Sequence, residues 1–125
     1  MNDEASISKV SIRFDALHFG EGELKLELTL YALSARWGII RGGGSISRSN
    51  APSFPPVQVE WVNGMYQGLG GDRHFHVSGQ YVEPGGQTGP FSASGAVDGG
   101  WKGRGAFVYH NFDSGPCVIE PEGDR

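Results

Sequence analysis

Apolar and polar residues alternate through most of this chain, the pattern of strands with one buried face. Val10, Ile12 and Phe14 alternate with Ser11 and Arg13, and Leu24, Leu26, Leu28 and Leu30 with Lys25, Glu27 and Thr29. Val57, Val59 and Trp61 form a third run, and Phe75, Val77, Gly79 and Tyr81 a fourth. Phe91, Ala93, Gly95 and Val97 make the next, and Trp101, Gly103, Gly105, Phe107 and Tyr109 the last. Glu23 to Trp37 is rich in helix-forming residues. On a helical wheel, however, its apolar positions fall into two opposed sectors, where a surface helix needs a single stripe. A strand puts Leu24 to Leu30 on one face, so the segment reads as a strand.

The breaks between runs carry turn chemistry. Asp98-Gly99-Gly100 is a hairpin signal, because positive φ costs Gly nothing and Asp little. Glu83 to Pro90 reads as a longer hairpin loop, and Gly68 to Asp72 joins the runs around Trp61 and Phe75. Gly42-Gly43-Gly44 marks a turn or a bulge, and Ser49 to Pro56 a loop. Roughly seven to nine short strands spaced in this way predict an all-β domain over residues 1–125. The expected architecture is a small antiparallel β-barrel of calycin-like type, with a β-sandwich as the alternative. Barrel is preferred because Gly103, Gly105 and Gly95 lie within strands, where glycine accompanies strong curvature or close backbone approach.

Composition sharpens this picture in three ways. The 21 glycines among 125 residues exceed twice the ordinary share of ~7% and are spread through apolar runs, which favours turn-rich β structure over disorder. Cys117 is the sole cysteine, so neither an internal disulfide nor a thiolate metal cluster forms within one chain. The net charge of −4 lies in the flanks, since residues 5–119 hold nine acids and nine bases. The ends therefore read as short, acidic, flexible and solvated, and the neutral body argues against nucleic acid as a partner. No apolar run reaches the ~18 residues of a membrane helix, and the acidic start lacks the pattern of a signal peptide. The chain reads as soluble and cytoplasmic, with no membrane partner and with assembly into a homo-oligomer left open.

His74-Phe75-His76 is the sharpest local feature. Strand periodicity puts both imidazoles on one face, close enough to share a metal. Gly68, five residues, then His74-x-His76 resembles the opening of the first cupin motif. The resemblance implies a small barrel in which His, His, Glu and a later His bind iron or manganese. It covers about twenty residues by this count and then departs from the pattern. Gln80 stands where the glutamate belongs, Glu83 follows three residues late, and His110-Asn111 lacks the preceding Pro and Gly of the second motif. The candidate metal set is His74, His76 and His110, with Asp113 and Glu60 as other possible ligands. Iron, manganese or zinc is the metal such a set would take, and no other cofactor is expected.

Trp37, Trp61, Trp101, Tyr31, Tyr66, Tyr81 and Tyr109 are numerous for a small chain. Most such residues pack cores, but Trp and Tyr also line pockets, and an eight-stranded barrel has room for one small ligand. Trp37, Trp61, Tyr81, Trp101, Tyr109 and Gln80 are the candidate ligand-binding residues. Arg41-Gly42-Gly43-Gly44-Ser45 with Arg48 could cradle an anion, and with Arg36 and Trp37 it keeps a single-strand nucleic-acid surface as a lesser alternative. Nucleophilic catalysis has little support: no Gly-x-Ser-x-Gly elbow exists, and Cys117 between Pro116 and Val118 reads as a buried thiol. The expected function is binding of a small molecule in the barrel lumen, with cyclisation or isomerisation there as a further step. The alternatives are a metal-dependent cupin-like enzyme and a structural or interaction module.

Overall fold

In the computed structural model, which describes residues 5–16, 20–34, 36–48, 55–69, 72–109 and 113–122, the alternating runs are strands. They are β1 (Ala5–Ala16), β2 (Gly20–Ala32), β3 (Trp37–Arg48), β4 (Val57–Leu69), β5 (Asp72–Val82), β6 (Thr88–Val97), β7 (Gly103–Tyr109) and β8 (Asp113–Pro121). Each pairs antiparallel with its neighbours in sequence, and β8 returns to β1, closing an eight-stranded barrel. This is the up-and-down order, which differs from the two Greek keys of the jelly roll on which cupins are built. The junction of β1 with β8 is the shortest, five residue pairs matching Val10–Phe14 to Pro121–Cys117. Of the loops expected from sequence, 49–54 and 70–71 lie outside the described residues.

The inward positions are the apolar members of each run. Ile12, Leu24, Leu28, Ile40, Ile46, Val77, Phe107 and Ile119 are fully buried, and they belong to one continuous cluster of side chains occupying the lumen. Inward glycines sit beside several large side chains of this cluster, Leu28, Tyr81 and Phe91 among them. A Cβ on Gly89 would lie 2.4 Å from the Tyr81 hydroxyl oxygen, so glycine there makes room for the ring. Aromatic contacts run along the barrel axis. Phe107 stacks on Phe14 with centroids 4.1 Å apart and continues to Phe91 at 6.1 Å and Tyr109 at 6.4 Å. Tyr109 in turn stacks on Tyr81 at 4.5 Å.

The connections β2–β3, β4–β5 and β6–β7 share one end of the barrel, and the β5–β6 loop lies at the other. At the first end Asp98 organises the expected hairpin. Its carboxylate Oδ1 accepts the amides of Gly100 (2.8 Å) and Lys102 (3.1 Å), and those bonds, Lys102 first, hold its carboxyl below the usual range. Trp101 follows the turn in the left-handed region at φ 65°, where a three-residue hairpin loop normally carries glycine. That conformation folds the buried indole over the end of the lumen, edge-on to Phe75 at 5.6 Å.

One strand departs from strict alternation. Between Val59 and Val62, β4 carries one residue more than β3 has between Gly42 and Gly44, and β5 likewise has one fewer between Ser78 and Gln80. The result is a β-bulge, which shifts a strand's inside–outside phase. Trp61 sits in it at φ 58° and is 75% exposed, while Val62 takes over the inward series. The expected Val57-Val59-Trp61 face therefore ends at Val59.

Candidate binding groove on the outer wall

The groove begins with the turn between β2 and β3. Leu33 and Ser34 donate their amides to the Trp37 carbonyl, both at 3.1 Å. The Ser34 Oγ accepts the amides of Arg36 (3.0 Å) and Trp37 (3.3 Å), a side-chain turn typical of serine. Gly68 donates its amide to the Arg36 carbonyl, tying the end of β4 to this turn. These bonds fix where β3 starts and so where Trp37 stands.

Register then assembles the rest. Trp37 pairs with Gln67 and Ile39 with Met65 across β3–β4; Gln67 pairs with His74 and Met65 with His76 across β4–β5. All six project outward. Together with Ser34, Arg36, Tyr66 and Phe75, five of them (all but Ile39) line an open groove of ≈ 620 Å³. Met65 is 54% and Trp37 39% exposed, with exposed Leu33 and Tyr31 close by in sequence. Tyr66 belongs to the inward series at the barrel's rim, and its hydroxyl lies over Gly38, where a Cβ would approach it to 2.6 Å. The Arg73 guanidinium covers the Tyr66 and Trp101 rings, 5.1 Å from each centroid. No carboxylate is among the lining residues.

His74 and His76 are exposed on the outer face of β5. Neither imidazole has a hydrogen-bond or ion-pair partner among the described residues. Glu60, one of the expected further ligands, faces Gln80, four residues along β5 from His76 and so about 13 Å away. Among the described residues no group of three His, Cys, Asp or Glu comes together. His110 lies outside the described residues, and of Asp113 only the backbone is placed, opposite Tyr109.

The six residues expected to bind a ligand divide between the two faces of the wall. Tyr81, Trp101 and Tyr109 point inward and are buried; Trp37 and Trp61 are exposed outside, and Gln80 is half-buried on the outer series. The structure brings Tyr81 and Tyr109 together and leaves Trp101 at the opposite end of the lumen. The Tyr109 hydroxyl donates to Glu83 Oε2 at 3.1 Å. Burial first, then Glu83, pushes the Tyr109 phenol well above its ordinary range, and the same two causes raise Tyr81. Burial also pushes the Cys117 thiol up to about 11, so it is a poor nucleophile at neutral pH.

Ser34, Met65 and Gln67 are the groove residues that the sequence pattern passed over. The signal for the last two was present but indirect. Leu69 pairs with Asp72, and counting back from that pair sets Met65 opposite His76. No protein-family model, curated protein or solved structure matches the chain, so its function is read from this geometry.

Proposed function

We propose that this protein is a small-molecule-binding β-barrel whose site is the outer groove of β3–β5, with the lumen serving as its structural core. The observation that carries this reading is the convergence of Trp37, Tyr66, Met65, Arg36, His74 and His76 on one ≈ 620 Å³ opening without a carboxylate. The inward positions, by contrast, are taken up by packed side chains in one apolar cluster. Ligand sites are concave and largely apolar with a few polar groups that fix orientation. Here the Trp37 ring offers a stacking face, Gln67 and the imidazoles offer hydrogen bonds, and Arg36 favours negative charge. A flat, apolar, anionic molecule suits that combination. The reading is of a binding protein, with no reaction attached to it.

Anilinonaphthalene sulfonate has this chemistry and serves as the probe. The folded protein binds it saturably, with a rise in dye fluorescence. Trp37→Ala weakens binding about fivefold, the worth of a ~1 kcal/mol aromatic contact, whereas Tyr109→Phe in the lumen leaves it unchanged. Absence of saturable binding, or loss in Tyr109→Phe with none in Trp37→Ala, would sink the groove reading.

A further inference from the structure

We infer that His74, His76 and Met65 form a binding site for a monovalent copper ion on the outer face of β4–β5. The inference goes beyond the organic ligand proposed above: it rests only on this outer face being a binding face, and it adds a metal held by three of its side chains, whose positive charge suits the same anionic ligand.

Three observations lead to copper. The first is placement. His74 and His76 are two residues apart on one strand face, so their Cα atoms are about 6.6 Å apart. Met65 is directly opposite His76, within about 5.5 Å at Cα, and diagonal to His74 at ~7–8 Å. An imidazole ring nitrogen and a thioether sulfur each reach several ångströms from their Cα, which is enough for rotamers of the three side chains to bring their donors together above the small triangle their backbones define. The second is availability. Both imidazoles are exposed and without a protein partner among the described residues, and Met65 is 54% exposed although methionine is ordinarily a core residue.

The third is the donor set. Two imidazole nitrogens and a soft sulfur, with no carboxylate in the groove, give little to hard cations such as magnesium, calcium or manganese, which seek oxygen. Thioether sulfur selects Cu(I). Iron, manganese or zinc on a cupin-like set would need a further His or carboxylate, and among the described residues none completes it. Trp37, diagonal to Met65 through the Trp37–Gln67 and Ile39–Met65 pairs, lines the same groove. Its fluorescence gives a local readout.

The test is anaerobic titration of the intact chain with Cu(I) against a colorimetric Cu(I) chelator, with Zn(II) titrated in parallel. The wild type retains one equivalent of Cu(I) and its Trp fluorescence falls as copper enters. Met65→Leu, a change at an exposed position, weakens Cu(I) by about tenfold or more, since even outer partners of a metal site are worth that much. The same variant leaves the weaker Zn(II) affinity of the imidazole pair unchanged. His76→Ala loses both metals, and unchanged thermal melts confirm that each variant is folded. No stoichiometric copper in the wild type, or equal Cu(I) affinity in wild type and Met65→Leu, overturns the inference. Dye binding distinguishes the two failures: a groove that binds the dye but no copper leaves the groove reading standing, and one that binds neither ends both.

Discussion

Two tryptophans hold the left-handed backbone conformation that L side chains rarely adopt, Trp61 at φ 58° and Trp101 at φ 65°. For a bulky residue that conformation costs about 1–2 kcal/mol. The two differ in what offsets it. Trp101 is buried, packs against Phe75 and lies beneath Arg73; Trp61 is 75% exposed and has little to lose. Replacement by glycine therefore has opposite signs at the two sites. Trp61→Gly removes the strain at the modest entropic cost of glycine and raises stability by about 0.5 kcal/mol. Trp101→Gly removes the strain but also a core aromatic worth ~3–5 kcal/mol and destabilises by roughly 2–3 kcal/mol net. Urea denaturation of both variants measures this; equal shifts of the same sign would show that the backbone conformation is not what separates them. Side-chain identity gave no hint of either conformation. Asp98-Gly99-Gly100 was legible as a turn, but a reader of the sequence places glycine, not tryptophan, at the position that follows.

At the level of strands, alternation was sufficient wherever the ladder is regular. Leu24 to Leu30, Phe75 to Tyr81 and Phe91 to Val97 each present the expected face. It failed in β4, because a bulge inverts phase without any mark in the apolar pattern: Trp61 in the sequence looks like the next inward residue, and only the paired registers of β3 and β5 reveal the extra one. The same dependence on register hid the groove. His74-x-His76 was visible as a pair, yet its partner Met65 is eleven positions from His76 and becomes a neighbour only through the β4–β5 pairing. Deletion of Trp61 is the direct experiment on the bulge. It leaves Val59, Glu60 and Val62 in uninterrupted alternation and both flanking registers intact. The shortened chain is expected to fold to the same barrel, with amide spectra of β3 and β5 changed only near Gly43 and Gly79. A general loss of dispersion would mean that the bulge's local twist is required for closure.

Across the whole molecule, each strand leans on its sequence neighbours except at one place, where the ring is completed by contacts spanning nearly the full chain, such as the 2.8 Å ion pair of Arg13 with Glu120. That pair is exposed and contributes little. The five residue pairs of β1 with β8 carry the junction instead, beside a surface opening of ≈ 610 Å³ lined by Arg13, Phe14, Arg104, Cys117 and Val118 among others. Cys117 is one of the five, opposite Phe14, and is 3% exposed. Its thiol, raised to about 11 by burial, becomes an ordinary reactive thiol when the two strands part. The sulfhydryl is thus a clock built into the seam. Labelling by a thiol reagent should proceed slowly in native buffer with a weak dependence on urea, the mark of a local opening, and Phe14→Ala should hasten it before it lowers the urea midpoint in proportion. A labelling rate that tracked global unfolding at every urea concentration would mean that the ring comes undone only all at once, and that its shortest junction is no weaker than the rest.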